Sequence, residues 1–175
     1  IKGIIVTLIV IWFFNIASLL GKSDLNFKEV YVPSDVDLDS YLKNSEISLG
    51  DVPEEAQKKI IWSNAKKNKT EIAIAFLPGF GTTNFQQKEF FDKLSQELDA
   101  NIFLSRLSGH GREHPGSKQM SAKNYLKDTS EAIEIAKRIG NKVILIGFSL
   151  GGALTTAASL DDRLSKDLQG VVLFA

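Results

Sequence analysis

The chain has no cysteine, only two histidines, and no excess of charge of either sign. Without cysteine there is no disulfide, no thiolate metal site and no cysteine nucleophile. Lys plus Arg and Asp plus Glu each number 21, so the formal net charge is zero. A nucleic-acid binder carries a basic footprint. None is present here, so no nucleic-acid partner is expected. What the chain does have is apolar content: 43% of its 175 residues are hydrophobic, enough to build the core of one domain.

The longest uncharged run is at the start. Residues 3–20 read GIIVTLIVIWFFNIASLL, with Lys2 and Lys22 at the edges. At a helical rise of about 1.5 Å, eighteen residues span roughly 27 Å, close to the hydrocarbon thickness of a bilayer. This predicts a single membrane-spanning helix within residues 1–21. No A-x-A-like site follows it, so an uncleaved anchor is expected rather than a removed signal, with its orientation open.

Residues 22–55 are polar, punctuated by Pro33 and Pro53, and read as a tether with one short helix near Leu38–Glu46. Within it, Asp35, Asp37, Asp39 and Glu46 fall at positions 1, 3, 5 and 12 of a calcium-loop pattern. Ser40 stands where that loop needs glycine, and VYVP does not read as an entering helix. An aspartate capping a helix start explains the same residues, and no metal is expected.

From about residue 56 an α/β domain begins. IIW (60–62), EIAIAFL (71–77), NIFLSRL (101–107), KVILIGF (142–148) and GVVLFA (170–175) read as strands. Between them, NFQQKEFFDKLSQEL (84–98) sets Phe91, Leu94 and Leu98 on one helical face. In residues 123–140, Tyr125, Leu126, Thr129, Ala132, Ile133, Ala136 and Ile139 recur at helical spacing before Gly140. LGGALTTAASL forms the last helix. Strands apolar on both faces, alternating with helices, predict an α/β fold: a mostly parallel sheet with helices on both faces.

The chemistry is concentrated in VILIGFSLGGAL (143–154), where a buried strand runs into one serine between two glycines. A hydroxyl is a poor nucleophile unless it is exposed, activated by a base and faced by donors for the oxyanion it creates. A sharp strand-to-helix turn provides the exposure and aims the first helical amides at that oxyanion. It also crowds the positions two before and two after, which Gly147 and Gly151 satisfy. Ser149 is the candidate nucleophile; the alternative is a tight turn whose serine only caps the helix. About 70 residues earlier, LPGFGTT ends another strand, and there the N–H of Phe80 would join that of Leu150 as oxyanion donor. The alternative is an ordinary glycine turn.

The order strand–LPGFG–helix–strand–GHG–helix–strand–GFSLGG resembles the N-terminal half of an α/β-hydrolase. With DLDSYLKNSE, IIWSNA and RLSGHGREH it is similar, over about residues 36–175, to bacterial membrane-anchored or exported serine hydrolases of the carboxylesterase and lysophospholipase-like kind. Relatives often have His-Gly where this chain has Pro78-Gly79, so the loop geometry around Gly79 and Phe80 departs from their pattern. The resemblance implies that His110, in the GHG turn, shapes the loop beside the active site.

It also implies the order serine, acid, histidine. Both His110 and His114 precede Ser149, and Asp161, Asp162 and Asp167 after it read as solvated surface. Acid and base are therefore not expected in this chain. The reading is an N-terminal fragment truncated after about the sixth strand of the family's sheet, inactive alone. The intact protein is expected to hydrolyse a small-molecule acyl ester or lipid-like substrate without a cofactor, at the membrane of a bacterial cell envelope. Two alternatives remain: a membrane-tethered hydrolase-like domain that binds without turnover, and a peptidase, thioesterase or acyltransferase on the same scaffold.

Overall fold

A computed structural model describes residues 26–112 and 117–174. The expected membrane helix lies outside the described residues. No helix among those described is long and apolar enough to cross a membrane.

The elements in chain order are α1 (Leu38–Ile47), β1 (Lys59–Ile61), β2 (Thr70–Leu77), α2 (Lys88–Leu98), β3 (Asn101–Leu104), α3 (Ala122–Ile139), β4 (Gly140–Phe148), α4 (Leu150–Leu160) and β5 (Leu168–Phe174), joined in places by short 3₁₀ turns. The strands make one sheet in the order β1-β3-β2-β4-β5. The pairs β2–β3, β2–β4 and β4–β5 are parallel, and only β1 runs antiparallel, against β3. The expected α/β architecture with a mostly parallel sheet is present.

Period-two alternation explains why the central strands are apolar throughout. Ala73, Ala75 and Leu77 of β2, Phe103 of β3 and Val143 and Leu145 of β4 enter one core with Tyr125, Ile133 and Ile139 of α3 and Leu154 of α4. Ile74, Phe76, Ile102, Leu104 and Ile146 point to the other side, where Phe91 of α2 covers them. Phe76 and Phe91 meet with ring centroids 4.6 Å apart. β5, at the outer edge, is different: Val171, Val172, Leu173 and Phe174 are all exposed.

The helix expected over 123–140 buries every residue of its proposed stripe, with Ser130 and Ile135 in addition. Ser121 caps its start by accepting from Asn124 N–H. α2 departs from expectation. Phe91 is buried, but Leu98 is exposed, and Ser95 takes the inner face because its hydroxyl donates to the Ala100 carbonyl at 2.8 Å. Asp99 then ends the helix in a left-handed conformation.

The segment expected as a tether is not free where it is described. Phe27, Leu38 and Leu42 join the main core. Glu46, at the end of α1, is fully buried against Arg106, with Nε to Oε2 at 2.8 Å and Nη2 to Oε1 at 3.2 Å. Asp37, Asp39 and Glu46 of the acidic spacing in this segment each make separate bonds. Asp37 caps α1 by accepting from Ser40 N–H at 2.9 Å, Asp39 accepts from Trp62 Nε1 and pairs with Lys67, and Glu46 holds Arg106. No acidic or histidine cluster able to hold a metal occurs among the described residues.

Candidate active site

Parallel pairing of β2 with β4 sets Leu77 opposite Gly147, so both strands end at the same edge of the sheet. β4 stops at Phe148 and α4 starts at Leu150, leaving one residue for the reversal. That residue, Ser149, adopts φ 50° and ψ −111°. A non-glycine residue there costs on the order of 1–3 kcal/mol and persists only where the surroundings impose it. Here they do: Ser149 N–H donates to the Phe174 carbonyl at 2.9 Å, and Ala153 N–H donates to the Ser149 carbonyl at 3.1 Å. Ser149 is exposed and its side chain does not cap α4, which removes the reading of a mere capping serine.

The two glycines are required by contact. A Cβ on Gly147 would stand 2.2 Å from the Gly151 carbonyl oxygen, and one on Gly151 would stand 2.0 Å from that of Leu77. The chain thus crosses itself twice with no room for a methyl group, and α4 begins hard against the end of β2.

The segment leaving β2 lies beside this turn. A Cβ on Gly79 would come within 2.9 Å of the Phe148 ring, and Thr82 N–H closes a turn onto the Gly79 carbonyl at 3.3 Å. Phe80 projects outward, 64% exposed. Leu150 opens α4, where the first amides have no intrahelical acceptor and carry the positive end of the helix dipole.

A family model described as "Alpha/beta hydrolase family" matches residues 74–175, more than half of the chain. The chain belongs to the alpha/beta hydrolase family. Among solved structures, it is similar to one described under LipS and LipT, two metagenome-derived lipolytic enzymes, at 20% identity and a TM-score of 0.56, over 70% of this chain and 46% of that one. It is also similar to MenH from S. aureus, at 19% identity and a TM-score of 0.51, over 66% of this chain and 41% of that one. At those identities the likeness is one of fold. The chain spans less than half the length of either structure. No curated protein matches it.

In this hydrolase-family chain His110 packs behind Phe80, ring edge to ring face, with centroids 5.2 Å apart. The imidazole is 2% exposed, and Nδ1 lies 3.3 Å from the Ser108 carbonyl, an acceptor, so Nδ1 carries the proton. Nε2 is buried without a partner. Burial holds the imidazole below its ordinary pKa, and the Arg106 guanidinium adds to the effect. The ring is buried and makes no hydrogen bond to Ser149. His114 lies outside the described residues. Asp161, half-buried, pairs with Arg163, Asp167, also half-buried, pairs with Lys137, and Asp162 is exposed.

Two residues at the site, Arg106 and Asp128, had no local signature in the sequence. Arg106 donates from Nη1 to the His110 carbonyl at 3.0 Å while it holds Glu46. Asp128, on α3, accepts from Ser108 N–H at 2.6 Å and from its hydroxyl at 2.9 Å. Burial pushes the Asp128 carboxyl up to about 6, with the Ser108 bonds working in the opposite direction. These partners lie 20 and 60 residues apart, a separation that no periodicity or motif spans.

Proposed function

We propose that this chain is the N-terminal part of a serine hydrolase that cleaves carboxylic esters through an acyl-enzyme on Ser149. The observation that carries the reading is the exposed Ser149 hydroxyl, held in a strained conformation at the mouth of α4 by a turn that admits only glycine at 147 and 151. Backbone strain of this kind gathers at functional sites.

In the reaction, Ser149 Oγ gives its proton to a histidine and attacks the ester carbonyl carbon. The Phe80 and Leu150 N–H groups receive the oxyanion. The C–O bond to the alcohol then breaks, the histidine returns its proton to the leaving oxygen, and water releases the acyl group from Ser149 by the same route. The histidine and its orienting acid are assigned to sequence outside these 175 residues, because the family order places both after the serine and both histidines here precede it; His110, moreover, has its Nδ1 facing the Ser108 carbonyl. The short coverage of the similar structures supports this. An apolar acyl ester or lipid-like substrate fits an enzyme tethered by residues 3–20 to a membrane of the bacterial envelope, and no cofactor is required.

The test is a fluorophosphonate probe on the full-length protein. Wild type should label at one site, and Ser149→Ala should abolish labelling while remaining folded by circular dichroism. Folded wild type that does not react, or a variant that still labels, overturns the assignment. Ester, thioester and peptide substrate panels then distinguish an esterase from the other chemistries of this scaffold.

A further inference from the structure

We propose that Asp128 is a positioning residue: from α3 its carboxylate clamps the Ser108–Gly111 loop, and through His110 that loop holds the Phe80 segment in place for Ser149. The proposal rests on the ester-hydrolase reading for its catalytic consequence, but the clamp itself can be measured without activity.

The geometry forms an unbroken path. Both carboxylate oxygens of Asp128 are taken by one residue, Oδ2 by Ser108 N–H at 2.6 Å and Oδ1 by Ser108 Oγ at 2.9 Å. Two residues on, His110 is fastened by its own N–H to the Leu107 carbonyl at 3.0 Å, and its carbonyl accepts from Arg106. Its ring is enclosed between Tyr125, at 5.6 Å, and Phe80, at 5.2 Å between centroids. Phe80 is 64% exposed, and the His110 ring packs against its inner side. Gly109 and Gly111, both at positive φ, make this a tight turn that follows wherever Ser108 is held.

The charges around Asp128 do not explain its presence as ordinary stabilisation. No Lys or Arg among the described residues forms an ion pair with it. Lys58, the cation before β1, is paired with Glu131 on the same helix and approaches Glu46 of α1, and Arg106 is likewise committed to Glu46. Glu131 repels the Asp128 charge, Lys58 only partly offsets this, and the neighbouring Tyr125 and His110 are neutral. The carboxylate is thus ionised at neutral pH against its surroundings, held by the two Ser108 bonds.

A folded-state pKa of about 6 against 3.8 means this group favours folding below about pH 4, and the contribution is lost as pH rises through 6.

Asp128→Asn separates positioning from plain structural support. The amide keeps an acceptor for Ser108 but removes the charge, and charge-assisted hydrogen bonds are roughly twice as strong as neutral ones. In the full-length protein, Asp128→Asn should melt at a higher temperature than wild type at pH 8, with the difference vanishing near pH 4. Its fluorophosphonate labelling rate should fall roughly tenfold. Hydrogen exchange of residues 106–112 should speed up while β2 and β4 stay protected. A variant that labels as fast as wild type with unchanged exchange in that loop overturns the clamp. One that loses stability and labelling together at pH 8 reduces Asp128 to a structural residue, which also overturns it. Wild type that never labels sinks the Ser149 reading and the catalytic role of the clamp with it, whereas the exchange of 106–112 still decides whether Asp128 holds the loop.

Discussion

Gly151 and Gly152 are adjacent, both buried, and both in the first turn of α4, yet a methyl group should have opposite effects at the two. At Gly151 a Cβ would lie 2.0 Å from the Leu77 oxygen, 2.6 Å from its carbonyl carbon and 2.8 Å from the Pro78 oxygen. All three are backbone atoms of the strand end that carries Phe80, so no side chain can swing aside. At Gly152 the nearest atom is 3.6 Å away, an ordinary contact. Replacing glycine by alanine in a helix contributes about 0.5–1 kcal/mol in favour of folding, and at Gly152 nothing opposes it. At Gly151 that gain meets an overpacking cost of at least about 3 kcal/mol, because β2 or α4 must shift by about an ångström or more. For a protein of this size, 1 kcal/mol moves Tm by about 2–4 °C. Gly151→Ala should therefore lower Tm by roughly 5 °C or more, and Gly152→Ala should raise it by about 1–3 °C. Scanning calorimetry with urea melts on both variants decides the matter. Gly151→Ala within 1 °C of wild type, or Gly152→Ala as damaging as Gly151→Ala, would refute the claim that α4 starts in backbone contact with β2.

Two further outcomes follow from buried charge. Glu46→Gln leaves Arg106 and Lys58, with side chains 5% and 11% exposed, without their shared carboxylate. Breaking one side of a buried pair costs about 3–5 kcal/mol, so urea melts should show a loss of that order; a loss under about 1 kcal/mol would mean that α1 is not tied to the Arg106 loop as described. His110, desolvated behind Phe80, should titrate below the ordinary histidine pKa of 6.5 when followed through its Cε1–H resonance, so the ring stays neutral at physiological pH. A value above 6.5 would place an anion beside the ring where the structure has Phe80 and Tyr125.

Most of the fold was legible because its information is local. Strands β2, β3 and β4 announce themselves by continuous apolar runs, since both of their faces are covered. α3 announces itself by a stripe at helical spacing, which its buried residues match. The turn at Ser149 was legible in part for a related reason: the crowding that demands glycine at 147 arises within a few positions, against Gly151 and Thr155, whereas that at 151 comes from Leu77 and Pro78 at the end of β2 and was legible only through the glycine–serine–glycine pattern. Leu98 misled because spacing alone cannot say which turns of a helix the neighbouring layer covers.

By itself, then, the amino-acid order determined the succession of strands and helices, the glycine-flanked serine and its place between strand and helix. Only the tertiary structure decided the strand order β1-β3-β2-β4-β5, the antiparallel β1, and the docking of residues 26–55 onto the domain. It alone joined Glu46 to Arg106 and Asp128 to Ser108. Such pairings are chosen by which surfaces can be buried together once loops have closed, and polar residues at ordinary helix and loop positions carry no period or motif that names their partner.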